Sequence, residues 1–137
     1  LPPLPAYEGA PDTGQPLTLA QGRTLTHFHS FYDHGRALPS LLKLDPEPSV
    51  WISLADATAR QIEDGQEVRL VNERGVLQAR AHVTERVPAG TVWMRDGWTG
   101  LNCLTSVDAC IPDAAVDLFP FAAGQAAFAA LVDVAPL

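Results

Sequence analysis

Gln66-Glu67-Val68-Arg69-Leu70-Val71-Asn72-Glu73-Arg74-Gly75-Val76-Leu77-Gln78-Ala79-Arg80-Ala81-His82-Val83-Thr84 decides the fold. Apolar residues fall on every second position from 66 to 72 and again from 76 to 84, so each run buries one face of a strand. Glu73-Arg74-Gly75 is short and turn-forming, so the two strands pair antiparallel.

The same pattern extends outward in both directions. Upstream, Asp64-Gly65 is a turn signal, and Leu54 to Ile62 reads as a short alanine-rich helix. Ser53 stands at its start as N-cap, with Asp56 three residues on as a capping-box partner. Val50-Trp51-Ile52 is a short buried strand, preceded by the two-proline turn Asp45-Pro46-Glu47-Pro48. Leu38 to Leu44 has the spacing of one or two helical turns, and Leu17-Thr18-Leu19 runs into Gly22 as the first strand. Downstream, Pro88-Ala89-Gly90 turns into a strand from Thr91 to Arg95, which places Trp93 in the core. Asp96 to Pro112 lacks periodicity and has the length of a functional loop. Ala114 to Leu118 reads as one helical turn, and Phe128 to Val134 as the strand that closes the sheet. Six or seven short strands, one or two short inserted helices and long loops make a mainly β chain, a small closed barrel in preference to a twisted open sheet.

Composition narrows the function. With 137 residues the chain is one domain with tails, and 47% hydrophobic residues suffice for a core. A formal net charge of -7 argues against nucleic acid as partner, and no apolar run is long enough for membrane insertion. The chain opens on Leu1 without a signal-peptide pattern. Residues 1–15 have the composition of an interdomain linker, and 16–137 form the domain, so the whole reads as a piece of a longer polypeptide whose other domains are its partners. Cys103 and Cys110 lack metal or disulfide-framework spacing and read as reduced, partly buried thiols. They point to a reducing compartment, and the expected location is the cytoplasm.

Against this acidic background, residues 22 to 36 concentrate two arginines and three of the four histidines with one acid. Gly22 admits close backbone approach, and Arg23 offers charge-assisted hydrogen bonds to a phosphate. Thr24, Thr26 and Ser30 exchange hydrogen bonds with hydroxyls, His27 and His29 donate as neutral imidazoles, and Arg36 adds a cation after Gly35. Such a loop suits a phosphorylated cofactor. The i, i+2 pair His27 and His29 also suits a metal, with Asp33, His34 and His82 as further ligands, though at no recognised spacing. Alternation makes His82 a surface residue. No Gly-x-Ser-x-Gly, P-loop or Cys/His dyad is present.

In order along the chain stand Thr18-Leu19-Ala20-Gln21-Gly22-Arg23, His27-Phe28-His29-Ser30, Ser53-Leu54-Ala55-Asp56-Ala57, Asp64-Gly65, Glu73-Arg74-Gly75, Pro88-Ala89-Gly90 and Asn102-Cys103-Leu104-Thr105. This ordered set resembles the C-terminal molybdopterin-dinucleotide-binding domain of the molybdenum and tungsten oxidoreductases, which include formate dehydrogenases, nitrate reductases and dimethyl sulfoxide reductases. The resemblance implies a double-psi β-barrel. It implies that Gln21, Gly22, Arg23, Thr24, His27, Phe28, His29, Ser30 and Arg36 contact a molybdopterin guanine dinucleotide, and that Asn102 reaches a pterin. It also implies that the metal ligand and catalytic residues lie in other domains, so the chain binds rather than catalyses, and the isolated domain lacks the cofactor. The family's late lysine has no counterpart, since Lys43 is the chain's one lysine, and Leu54 stands where the family often has proline. The alternative is a free-standing double-psi barrel that recognises a partner or substrate.

Overall fold

The computed structural model describes residues 17–26, 39–105 and 130–137. Within them lie six strands: β1 (Leu17–Gly22), β2 (Ser49–Ile52), β3 (Glu67–Val71), β4 (Val76–Val83), β5 (Thr91–Arg95) and β6 (Ala130–Pro136). Two α-helices, α1 (Pro39–Leu42) and α2 (Leu54–Ala59), and a 3-10 helix (Leu101–Leu104) complete them.

The strands close into a barrel in the order β1-β5-β2-β4-β3-β6. β1 with β5 and β2 with β4 are parallel pairs; the other four pairs are antiparallel. The double-psi β-barrel expected from sequence is therefore the architecture observed. Closure leaves no free sheet edge.

Alternation fills the interior. Leu17 and Leu19 from β1, Val50 and Ile52 from β2, Val68 and Leu70 from β3, Val92 and Met94 from β5, and Val132 and Val134 from β6 are all essentially inaccessible. β4 contributes Leu77, Ala79 and Ala81, two of them small, which accommodates the bulk opposite.

The phase of β5 differs from the expectation for Trp93. Val92 and Met94 take the interior, so Trp93 points outward and is half-buried. The register pairs it with Trp51, and the two rings sit 4.9 Å apart. Gly22 serves this packing, because a Cβ there would lie 2.7 Å from the Trp93 indole nitrogen.

α2 is also shorter than the periodicity implied. Ser53 caps it, its Oγ accepting from the Asp56 amide at 3.1 Å and donating to Asp56 Oδ2 at 2.6 Å. Asp56 Oδ2 then accepts the Gly90 amide at 2.8 Å, tying the helix to the turn before β5. The helix stops because Gln61 turns left-handed at φ 56°. The Ile62 amide donates to Ala57 O and the Gln61 amide to Thr58 O, the two bonds of a Schellman motif. Glycine is the usual residue at that left-handed position, so Gln61→Gly should stabilise the chain by about 1 kcal/mol in urea unfolding. A loss of stability would show that the Gln61 side chain does more than occupy the turn.

The parallel and antiparallel pairings fix two rims. One rim collects the ends of β1, β5 and β3 and the starts of β2, β4 and β6. The candidate site lies at this rim.

Candidate functional site

Gln21, Gly22, Arg23 and Thr24 end β1 or follow it directly, on the rim just defined. Asn102 stands on the 3-10 helix, exposed, because Leu101 and Leu104 turn inward and leave Asn102 and Cys103 outward. Cys103 is accordingly an exposed free thiol and not a partly buried one. The helix is held to the same rim by two devices. Gly75 leaves room for it, since a Cβ would meet Cys103 Sγ at 2.9 Å and the Cys103 carbonyl at 3.2 Å. Asn72, buried just after β3, donates through Nδ2 to Leu104 O at 2.8 Å and Leu131 O at 3.1 Å. Its Oδ1 accepts the Arg74 and Gly75 amides at 3.0 and 3.2 Å. One side chain thus joins the β3–β4 turn, the 3-10 helix and β6. Sequence reading took Asn72 only as a strand end; its place before Glu73-Arg74-Gly75 was the available signal, as Asn before a turn commonly caps it.

His27, Phe28, His29, Ser30 and Arg36 lie outside the described residues, as do Cys110, the 1–15 linker and the helical turn at 114–118. His82 is a surface residue as expected, with Nδ1 3.5 Å from Asp64 Oδ1. Among the described residues no group of three His, Cys, Asp or Glu side chains is placed to hold a metal ion.

A cavity of about 510 Å³ opens at the rim and runs down the outer face of β5, β2 and β4. Of the residues picked from sequence for the cofactor, Thr24 lines it; Gln21, Gly22, Arg23 and Asn102 are not part of its wall. Its floor is the row Trp93, Trp51 and His82, which the strand registers align across three neighbouring strands. Arg80 stands opposite Ser49, nearer the rim than that row, donating to Glu47 from Nε at 2.7 Å and Nη2 at 3.3 Å, and to Glu67 at 3.2 Å. The hydrogen bond it donates to Glu47 is the largest cause raising the arginine's proton affinity, with the Glu47 charge adding to it.

The upper end is built around Arg95. Its side chain is 4% exposed, with Cζ 3.9 Å from the centre of the Trp98 ring. Nε lies 2.7 Å from Asp45 Oδ2, an ion pair too poorly aligned to be a hydrogen bond, and Nη2 is buried without a hydrogen-bond partner among the described residues. Burial pulls the arginine's pKa down, and the Asp45 and Asp96 charges oppose that shift. Asp45 in turn accepts from Thr26 Oγ1 at 3.3 Å, and Thr26 Oγ1 lies 2.8 Å from Thr24 Oγ1. A polar chain therefore runs from the segment after β1, through the turn before β2, to the end of β5.

Residues 17–119 match the family profile described as Molydopterin dinucleotide binding domain. The chain belongs to this family. It is 33% identical over 84 residues to the F420-dependent formate dehydrogenase subunit alpha of Methanocaldococcus jannaschii, covering 61% of this chain and 12% of that protein. In structure it is similar to acetylene hydratase from Pelobacter acetylenicus, with a TM-score of 0.69 and 17% identity over 90% of this chain and 19% of that one. The molybdopterin-binding chain thus spans under a fifth of the length of either relative.

Proposed function

We propose that this chain is the dinucleotide-holding domain of a larger molybdenum or tungsten oxidoreductase of the formate dehydrogenase kind, not catalytic by itself. The observation that carries the reading is the family match over residues 17–119, which include five of the six barrel strands. Arg23 and the backbone after β1 hold the pyrophosphate of a molybdopterin guanine dinucleotide, and Asn102 meets a pterin edge from the 3-10 helix. The donor set fits such a group: an arginine, threonine hydroxyls and an exposed amide on one rim, beside a cavity with aromatic walls. When bound, the metal-bearing cofactor supplies two-electron redox chemistry; this chain's residues bind and orient it. The other domains of the same polypeptide form the rest of the site, in the cytoplasm. No described helix is long and apolar enough to cross a membrane.

The chain alone holds half a clamp, so its affinity for GDP should be weak. In an amide chemical-shift titration, millimolar GDP should move Arg23 and Asn102. Arg23→Ala should weaken binding about tenfold or more, the worth of a charge-assisted hydrogen bond of about 1.5–3 kcal/mol. Silence at both residues at millimolar GDP would end the assignment of the clamp, and micromolar affinity would contradict the half-site.

A further inference from the structure

We propose that Asp45 is a positioning residue for the clamp: through Thr26 it holds the segment after β1 so that Arg23 faces the bound anion. What Arg23 meets rests on the dinucleotide reading; the tether itself rests on the contacts around Asp45. Residues 22 to 26 leave the barrel at the rim and are fixed twice to the end of β5, once directly and once through Asp45. The first tie is backbone, the Asp96 amide donating to the Gly22 carbonyl at 2.8 Å. The second is made by side chains. Thr26 Oγ1 donates to Asp45 Oδ2 at 3.3 Å, and the same Oδ2 lies 2.7 Å from Nε of Arg95, whose guanidinium is covered by Trp98. Asp45 is itself placed by its amide, which donates to the Leu41 carbonyl of α1 at 3.2 Å. Arg23 stands between the two ties.

Proton order makes the second tie depend on an acceptor at position 45. A threonine hydroxyl has one proton to give. Thr26 gives it to Asp45, so the 2.8 Å contact between the Thr24 and Thr26 oxygens is a hydrogen bond with Thr24 as donor. The two bonds coexist only while position 45 accepts, which an ionised carboxylate always does. Burial follows the same arrangement: Thr24 and Thr26 are half-buried, Arg23 and Leu25 exposed. Neighbouring side chains on an extended stretch point to opposite sides, so drawing Thr24 inward turns Arg23 outward. A guanidinium whose backbone is fixed beforehand loses less freedom on meeting its anion, and that preorganisation appears as affinity. Arg95 touches no ligand in this arrangement; it acts by holding Asp45.

The test titrates the full chain with GDP, reads the Arg23 and Asn102 amide signals, and measures urea unfolding in parallel. Thr26→Val removes the donor and should weaken GDP binding about fivefold, the cost of ordering a freed stretch of chain on binding. Thr26→Ser keeps the hydroxyl and should bind as the wild type does, with an unfolding free energy close to that of Thr26→Val. A second pair of variants separates positioning from folding. Asp45→Asn with Arg95→Met and Asp45→Leu with Arg95→Met both lack the buried charge, and the first alone keeps an acceptor for Thr26. The asparagine double variant should bind GDP like the wild type, and the leucine one about fivefold more weakly. If either double variant does not fold, Thr26→Val against Thr26→Ser decides. Equal affinity of the two double variants, or wild-type affinity in Thr26→Val, overturns the positioning role and leaves the clamp intact. Silence of the wild type at both Arg23 and Asn102 removes the clamp, and the role of Asp45 with it.

Discussion

Asn72→Ala should lower the unfolding free energy by about 3–4 kcal/mol. The residue is 7% exposed, and its side chain bridges four backbone groups on three parts of the rim. Truncation leaves the Leu104 carbonyl without this donor in a buried setting, and an unsatisfied buried group costs about 1–3 kcal/mol. The Leu131 carbonyl and the turn amides of Arg74 and Gly75 lose their partner as well, at about 0.5–1.5 kcal/mol each where water replaces it. Asn72→Asp separates the two halves of the role. It keeps the acceptor for the turn amides and sets a carboxylate oxygen against two carbonyls, so it should cost at least as much as alanine at pH 7. Urea unfolding gives both values. The loss should also be local: the 3-10 helix is held at Leu104, so Cys103 should react faster with a thiol reagent in Asn72→Ala. A cost under 1 kcal/mol with unchanged Cys103 reactivity would mean that the 3-10 helix is held without Asn72.

That bridge marks where the sequence stops being legible. The barrel follows from period-two alternation, because Val, Leu and Ile at every second position leave few other folds for so short a chain. β3, β4 and their turn stand where alternation and Glu73-Arg74-Gly75 put them, and Ser53 caps α2 as its position implies. Alternation alone does not fix which face is inside when both rows are apolar. In Thr91-Val92-Trp93-Met94-Arg95 the bulk of Trp93 suggests core, yet a barrel this narrow takes Val92 and Met94 and turns Trp93 out. With that phase inverted, Arg95 was counted as an ordinary strand end, and the row shared by Trp93 and Trp51 went unseen. Had Val92 and Met94 set the phase, Trp93 and Arg95 would have fallen together on the outer face. The pairing of Arg95 with Asp45 joins positions fifty residues apart through the antiparallel pairing of β2 with β5, a relation no local pattern encodes. The residues proposed for the clamp rest on local chemistry and resemblance, and those within the described residues stand on one rim.

Asp45→Asn should cost about 2–4 kcal/mol, more than an exposed ion pair would. The guanidinium of Arg95 is almost wholly buried while Asp45 is 23% exposed, so the charge left behind is the one that cannot reach water. Breaking a buried pair from one side typically costs about 3–5 kcal/mol; the partial exposure of Asp45 and the nearby Asp96 charge reduce that here. Removing both charges should cost less than removing one. Arg95→Met keeps a flexible apolar stem against Trp98, and combined with Asp45→Asn it should recover at least half of the loss, because no unpaired buried charge remains. The cycle of two single variants and the double variant, each measured by urea unfolding, yields a coupling energy of about 1.5 kcal/mol or more. Additive single effects would mean that Arg95 does not depend on Asp45, and that the turn before β2 is fixed to the end of β5 by packing on Trp98 alone. A folding requirement for the pair would also explain how a guanidinium stays buried at a cavity wall with a donor unmatched. Asp45 compensates its charge and Trp98 covers its face.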